Sequence, residues 1–156
     1  MRQVIENQKA MELLPIKKTK EENQDFSDHP DCGETIEFTI DFFNRIGYTP
    51  PWIGYYAQQD GKLVGSCAFK GAPKNGKVEI AYGTFLSYQK QGFASEMCRQ
   101  LVLISLQTNP SVIVTARTLP EENFSTKVLR KNGFRCLGTV WDEEDGEVWE
   151  WEYQVV

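Results

Sequence analysis

The chain has 156 residues, a formal net charge of −5, 40% hydrophobic residues and 12% aromatic residues. This length predicts one domain over residues 1–156, with a polar N-terminal extension at residues 1–10 and enough apolar content for a packed core. The acidic balance argues against a general nucleic-acid binder, which usually carries a basic face. No apolar run approaches the roughly 20 residues of a membrane span. The N-terminus lacks a signal-peptide apolar segment, so a cytoplasmic location is expected.

The number and spacing of the cysteines and the single histidine limit which thiol and metal sites are possible. The four cysteines lie far apart in the chain and form no Cys-x-x-Cys pair: Cys32, Cys67, Cys98 and Cys136. Cys67 and Cys98 fall within apolar strand and helix patterns, so buried free thiols are expected there. The single histidine, His29, argues against a histidine-based metal site. We therefore expect no metal cofactor.

The first third of the chain is predicted to hold one strand and two helices, which lie at Met11–Ile16, Lys17–Asp28 and Cys32–Ile46. The first helix is highly charged and is expected on the surface. In the second helix apolar residues alternate with polar ones at a helical spacing, and Gly47 supplies the end. Pro50-Pro51 then breaks the chain.

Two hairpins are predicted next. Asp60-Gly61 lies between strand-like runs at Trp52–Gln58 and Lys62–Phe69, which is a strong hairpin signal. Asn75-Gly76 precedes a further strand at Lys77–Leu86 and predicts the second hairpin.

The remaining chain alternates helices and strands. The predicted elements are a helix, a buried strand, a second helix and a terminal hairpin: Gln91–Thr108, Val112–Ala116, Asn123–Asn132, and Arg135–Trp141 with Glu147–Tyr153. Gly133 stops the second helix, and Asp142–Gly146 forms the acidic hairpin turn. Trp149, Trp151 and Tyr153 alternate onto one face of the last strand, which favours sheet packing over an aromatic wall for a substrate.

The most informative segment is the turn before the helix Gln91–Thr108, which reads Gln89-x-x-Gly92-x-Ala94. A helix that starts at such a turn leaves backbone N–H groups without partners, and these donors with the helix dipole suit phosphate oxygens. Gly92 has no Cβ, so the backbone can approach such a ligand closely. The spacing is neither a Walker loop nor Gly-x-Gly-x-x-Gly. An ordinary strand-to-helix connection is the alternative.

This turn resembles the Gln/Arg-x-x-Gly-x-Gly/Ala signature of the GNAT superfamily of N-acetyltransferases. A second segment, Pro120–Phe134, resembles the Asn-x-x-Ser…Lys-x-Gly-Phe segment of the family, especially of proteins similar to ribosomal-protein N-acetyltransferases. The two signatures occur in the right order, about 30 residues apart. The predicted order of strands and helices over residues 11–153 also matches the family.

The resemblance implies a mixed α/β fold with a central, mostly antiparallel sheet flanked by helices, in which strands four and five splay apart. It also implies direct transfer of an acetyl group from acetyl-coenzyme A, as cosubstrate, to a primary amine. The expected partners are this cosubstrate and an amine acceptor, without nucleic acid or membrane. Many members of the family dimerise, so a homodimer is a further option.

By the same resemblance, the cofactor-binding residues form three groups. The first would hold the pyrophosphate with backbone N–H groups: Gln89, Lys90, Gln91, Gly92, Phe93 and Ala94. The second would pair with the pantetheine arm like an extra strand and supply an oxyanion donor near Phe85: Thr84, Phe85 and Leu86. The third would lie beside the arm: Asn123 and Ser125.

Two of these assignments have structural alternatives. The Lys90 side chain could add charge near the phosphates or be a solvated lysine in a turn. Asn123 sits one position closer to Gly133 than the family spacing, with Glu122 at the expected place. Asn123 could instead cap the helix that follows it.

Acetyl transfer needs a neutral amine, donors for the oxyanion and a proton for the leaving thiolate. Where many GNAT enzymes carry a tyrosine acid, four residues before the Gly of Gly-Phe, this chain has Leu129. We predict Tyr82 in that role, with Tyr88, a water or an unassisted thiolate as alternatives. Glu79 lies on the strand that lines the active site in this family and is predicted to be the general base; pairing with a lysine is the alternative.

Further ionisable residues are candidates near the acceptor site, and two other functions are compatible with the sequence. His29, Glu34 and Glu37 fall in the helical region that shapes the acceptor site in GNAT folds, whereas Glu96 is expected to be structural. A non-catalytic acyl-coenzyme A binding module is the second functional hypothesis, motivated by Leu129. An unrelated phosphate- or nucleotide-binding α/β domain is the third.

Overall fold

The structure, a computed structural model, describes residues 10–155. Its centre is a seven-stranded sheet in the order β1-β2-β3-β4-β5-β7-β6. The strands are β1 Glu12–Pro15, β2 Gly54–Gln59, β3 Lys62–Phe69, β4 Lys77–Thr84, β5 Ile113–Thr118, β6 Phe134–Asp142 and β7 Gly146–Tyr153. All neighbouring strands are antiparallel except β4 and β5, which are parallel. The predicted mixed α/β fold with a mostly antiparallel sheet is confirmed.

Four helices flank the sheet: α1 Gln24–Ser27, α2 Gly33–Ile46, α3 Phe93–Thr108 and α4 Phe124–Lys131. Gly54 of β2 lies against Thr39 of α2, whereas Gly65 of β3 lies against Met97 of α3. Gly54 pairs with Ala68, and Ala68 and Gly65 point to opposite sides because they are three residues apart on one strand. The helices α2 and α3 therefore cover opposite faces of the sheet.

The predicted elements are present with shifted ends. The largest differences flank the signature turn, where β4 stops at Thr84 and a short 3-10 helix occupies Leu86–Tyr88. The helix α3 begins at Phe93, two residues later than predicted, because Gly92 has a left-handed φ of +84° and stands outside the helix. Both hairpin turns are confirmed, with consecutive positive φ values at Asp60-Gly61 and Asn75-Gly76.

The core lies between the sheet and the helices. In α3 the predicted apolar stripe is buried throughout: Ala94, Met97, Cys98, Leu101, Val102 and Ser105. Cys67 and Cys98 are buried free thiols, as predicted. Trp151 is fully buried, its indole N–H donates to Thr118 Oγ1 at 3.0 Å, and Tyr153 packs on Phe134. The aromatic residues of β7 thus serve sheet packing. None of the helices described for residues 10–155 is long and apolar enough to cross a membrane.

Candidate active site

The strands β4 and β5 are paired over only part of their lengths. The parallel ladder joins Lys77–Ile80 to Ile113–Ala116, although β4 continues to Thr84 and β5 to Thr118. After Ile80 the two strands therefore separate, and the sheet is open between them.

The register of β3 and β4 decides which backbone groups face this opening. The N–H of Phe85 donates to the carbonyl of Val64 at 2.8 Å, so Phe85 faces β3. In an antiparallel ladder, residues bonded to one neighbour alternate with residues whose backbone groups point to the other side. The N–H and C=O groups of Tyr82 and Thr84 consequently point into the opening between β4 and β5.

The helix after the split strand has an open N-terminus. Gly92 is the N-cap residue of α3, and no side chain caps this end. Hydrogen bonding in this first turn runs from the Glu96 N–H to the Gly92 carbonyl at 3.2 Å. The N–H groups of Phe93, Ala94 and Ser95 precede the helical ladder and can donate to a ligand.

The N-terminus of α4, in contrast, is closed by its own side chains. Asn123 Oδ1 accepts from the Thr126 N–H at 3.1 Å, and Thr126 Oγ1 accepts from the Asn123 N–H at 3.0 Å. This pair is a complete capping box. The two helices are neighbours, joined by the Asn132 amide that donates to Ser95 Oγ at 3.1 Å. The start of α4 is therefore capped internally, whereas the start of α3 keeps its donors for a ligand.

A cavity of 340 Å³ connects the split strand to both helix starts. Its lining comes from β4, the turn before α3, α3 itself and the first turn of α4: Tyr82, Gly83, Thr84, Gln89, Lys90, Ala94, Phe124 and Ser125. Six of these were predicted as site residues: Tyr82, Thr84, Gln89, Lys90, Ala94 and Ser125. Phe124, whose ring is 56% exposed, was missed because an apolar residue at a helix start looks like a core residue in sequence.

Other predicted cofactor residues lie outside the lining of this cavity. The Phe85 N–H is already donated to β3, and the Phe85 ring lies 6.0 Å from the ring of His29. Leu86 is 84% exposed at the start of the 3-10 helix. The Phe85 N–H is therefore not free to act as an oxyanion donor. The neighbouring Thr84 N–H faces the opening, and an oxyanion donor near Phe85 stays a prediction.

The remaining residues of the turn can contribute backbone rather than side chains. Gln91 is exposed, and the ring of Phe93 packs 6.4 Å from the ring of Tyr88. Glu96 is bound by the side chains of Arg99 and Gln100. The hydrogen bond from Arg99 lowers the Glu96 pKa most, so this carboxylate is a fixed part of α3.

The hydroxyl of Tyr82 is buried without a hydrogen-bond partner among residues 10–155. The hydroxyls of Tyr48, Tyr55 and Tyr56 all donate to backbone carbonyls. Burial, with a smaller effect of Cys98, raises the pKa of Tyr82 well above its ordinary value. Its hydroxyl therefore stays protonated at neutral pH and is available as a donor.

Glu79 is held by cations on the α2 face of β4. Its Oε2 lies 2.9 Å from Lys70 Nζ, and its Oε1 lies 3.9 Å from Arg117 Nε. Arg117 also bonds Asp142 at 2.9 Å and Glu150 at 3.3 Å, and its hydrogen bond lowers the Asp142 pKa to about 2. The structure thus shows the lysine pairing that was the alternative for Glu79, and its role as general base stays a prediction.

A second cavity, of 310 Å³, lies on the α2 face of the sheet. It is lined by residues of α2, the loop after β1 and strands β2 to β4: Ile16, Thr35, Thr39, Gly54, Ser66, Cys67, Ala68, Ala81, Tyr82 and Gly83. Tyr82 and Gly83 line both cavities, so the end of β4 separates the two. A Cβ at Gly83 would meet no atom within 4 Å, which leaves open space where two ligands could meet.

The ionisable residues predicted near the acceptor side do not line this second cavity. Thr35 and Thr39 of α2 line it, whereas Glu34 and Glu37 do not. His29 Nδ1 lies 3.2 Å from the backbone N of Asp31, within its own loop. Within residues 10–155 no group of three or more His, Cys, Asp or Glu side chains could hold a metal ion.

The split strand, the open helix start and the sheet order together match one family. A family model described as the acetyltransferase (GNAT) domain matches residues 2–135. The chain belongs to the GNAT acetyltransferase family.

A curated relative supports this membership. Over 74 residues the chain is 32% identical to the uncharacterised N-acetyltransferase YjdG of Bacillus subtilis (strain 168), which covers 47% of this chain and 44% of that protein. The chain therefore spans less than half the length of that relative.

Solved structures share the fold. A RimL ribosomal L7/L12 alpha-N-protein acetyltransferase in complex with coenzyme A aligns with a TM-score of 0.67 and 18% identity, over 93% of this chain and 94% of that chain. The microcin C7 self-immunity acetyltransferase MccE, in complex with acetyl-CoA and AMP, aligns with a TM-score of 0.62 and 13% identity, over 80% and 71%. At these identities the likeness concerns the fold, and it confirms the GNAT fold predicted from the sequence.

The capping role of Asn123 can be separated from a ligand role. Asn123→Ser keeps a side-chain oxygen for the cap and removes the amide, so we expect the free energy of unfolding to stay within about 0.5 kcal/mol of the parent. Asn123→Ala should lower it by about 1 kcal/mol, since the cap is lost. Chemical denaturation measures both, and calorimetry with coenzyme A provides the second readout. A stable Asn123→Ser variant with weaker coenzyme A binding would show that the amide contacts the ligand.

Proposed function

We propose that the protein transfers an acetyl group from acetyl-coenzyme A to a primary amine by direct attack. The observation that carries the proposal is the split between β4 and β5, which turns the backbone groups of Tyr82 and Thr84 toward a cavity bounded by an uncapped helix start. A ligand that uses both features needs an extended amide-bearing arm and a phosphate group. Coenzyme A has both. The RimL structure is a complex with coenzyme A, and the MccE structure is a complex with acetyl-CoA and AMP.

The residues around the cavity suit such a ligand. The free N–H groups of Phe93, Ala94 and Ser95 lie at the positive end of the α3 dipole, where phosphate oxygens bind favourably. Lys90 lines the same cavity, and its ammonium group supplies a positive charge in a chain of net charge −5. The exposed ring of Phe124 offers an apolar wall for the arm or the adenine.

The chemistry requires only a few groups of the chain. The amine nitrogen bonds to the acetyl carbon, the carbon–sulfur bond breaks, and the amine loses a proton to solvent. The Thr84 N–H, which faces the opening, stabilises the negative charge that develops on the carbonyl oxygen. The Tyr82 hydroxyl, whose raised pKa keeps its proton in place, donates a hydrogen bond to the departing thiolate, which then takes a proton from solvent.

An acceptor whose amine is already partly neutral at working pH does not need a dedicated general base. An α-amino group has an ordinary pKa of roughly 7.7–8.0, so a sizeable fraction is neutral near pH 7.5. The contacts of Glu79 with Lys70 and Arg117 favour an acceptor of this kind, which needs little assistance from Glu79. The 310 Å³ cavity beside Gly83 is the proposed place of the amine.

A binding module without turnover is the second candidate. It is favoured by Leu129, which is 1% exposed and packed in the core where many family members carry their tyrosine acid. Such a protein would bind acetyl-coenzyme A and release no thiol with any amine.

We also propose that the protein is cytoplasmic and that it forms a homodimer. The edge strand β6 exposes Leu137 (44%) and Trp141 (72%), and exposed apolar side chains on an unpaired edge suit contact with a second copy.

Gly92→Glu should abolish tight binding of acetyl-coenzyme A, because the new carboxylate would enter the phosphate position. We expect at least a roughly 100-fold loss of affinity, or about 2.7 kcal/mol, by calorimetry. The matched control is Gly76→Glu. Both glycines have positive φ (+84° and +78°), and a Cβ at either meets no atom within 4 Å, so the backbone strain is similar. Equal affinities for the two variants would contradict the proposed phosphate site.

Tyr82→Phe should lower kcat by about 100-fold, the lower end of the effect of losing one donor to charge that develops in the transition state, without weakening acetyl-coenzyme A binding. Its melting temperature should not fall, because the lost hydroxyl has no partner among the described residues. Tyr88→Phe is the control and should keep the parent rate. The rate at which each variant releases the free thiol of coenzyme A gives both values of kcat. A Tyr82→Phe enzyme as fast as the parent would remove this residue from the mechanism.

A further inference from the structure

A third cavity continues the acceptor side of the sheet. It has a volume of 730 Å³ and lies where β3, β4 and β5 meet the C-terminal end of α2. Glu79 lines it, while Ala81 and Gly83, two and four residues further along the same face of β4, line the 310 Å³ cavity. Lys70, directly after the end of β3, follows Ala68 in the same way. The two cavities are therefore consecutive along one face, with the proposed transfer position at one end.

Cationic side chains dominate this third cavity, against the acidic balance of the chain. Five cations and two carboxylates line it: Arg45, Lys70, Lys74, Lys77 and Arg117, with Glu79 and Glu150. Lys70 and Arg117 are shared by three carboxylates, the two in the lining and Asp142 beside it, so five cations against three carboxylates leave the region with a net charge of +2. Three cations have no carboxylate partner among residues 10–155: Arg45, Lys74 and Lys77.

The placement of the two lysines is unfavourable for the chain alone. Lys74 and Lys77 face each other across the Asn75-Gly76 turn, joined by reciprocal backbone hydrogen bonds of 2.8 and 3.1 Å. Like charges directly opposite each other destabilise a hairpin. An anion bound beside this turn would remove the repulsion, so the arrangement favours an anionic ligand.

We propose that the basic cavity around Arg45, Lys74 and Lys77 binds acidic side chains of a peptide acceptor whose N-terminal amine lies beside Gly83. The six residues from Gly83 to Lys77 on β4 span about 20 Å, and an extended peptide advances about 3.3 Å per residue. Acidic residues at the sixth and seventh positions of the acceptor would thus lie beside Lys77 and Lys74. The inference rests on the proposed function and specifies its acceptor class.

Two peptides of equal length test this preference: Ser-Ala-Ala-Ala-Ala-Glu-Glu-amide and its neutral counterpart Ser-Ala-Ala-Ala-Ala-Gln-Gln-amide. Their N-acetylated forms, which cannot react, are titrated by calorimetry into protein saturated with coenzyme A. We expect the acidic form to bind about 10-fold more tightly at low salt, with the preference falling as salt increases. The free peptides should show the same ratio in kcat/KM.

Variants test whether Lys74 and Lys77 cause the preference for the acidic peptide. Lys74→Gln/Lys77→Gln should bind both peptides equally, whereas Lys74→Arg/Lys77→Arg should keep the preference. Lys20→Gln/Lys131→Gln, which removes two exposed lysines elsewhere, should also keep it.

Equal binding of the two peptides to the parent protein would overturn the inference, as would equal competition by a single-stranded oligonucleotide of the same charge. Failure of the proposed function is distinct. In that case the binding preference for the acidic peptide persists while neither free peptide is acetylated.

Discussion

The site depends on where the parallel ladder between β4 and β5 ends. Pairing stops at Ile80 and Ala116, and beyond that point β4 keeps only its neighbour β3. A strand inside a sheet normally has partners on both sides, because an unpaired backbone group away from water costs roughly the free energy of a hydrogen bond. The groups of Tyr82 and Thr84 therefore need an external partner, and an extended amide-bearing ligand can replace the missing strand.

Three unsatisfied features converge on one cavity. Besides the split strand, α3 lacks the cap that would contribute about 1 kcal/mol of stability, although α4 next to it has a complete capping box at Asn123 and Thr126. The Tyr82 hydroxyl lacks a partner among the described residues, which is costly in a buried position. Each feature alone has a structural explanation. Tyr82 and the start of α3 both line the 340 Å³ cavity, and this common position supports the proposal that one ligand binds there.

The parts that could be predicted from sequence are those encoded by local patterns. Strand and helix order follow from periodicity and turn residues, and the open helix start follows from Gly92. The hydrogen bond of the Phe85 N–H to Val64 could not be predicted, because the direction of a backbone group depends on register with another strand. The ion pair of Glu79 with Arg117 and the contribution of Arg45 to the basic cavity join residues distant in sequence, so a local pattern could not predict them.

Hydrogen exchange of backbone amides, with and without coenzyme A, tests the central claim most directly. If coenzyme A replaces the missing strand, exchange at Tyr82, Thr84 and the first amides of α3 slows on binding, while Ile80, already paired with β5, changes little. Tight binding of coenzyme A with unchanged exchange at Tyr82 and Thr84 would show that the split between β4 and β5 is not its binding site.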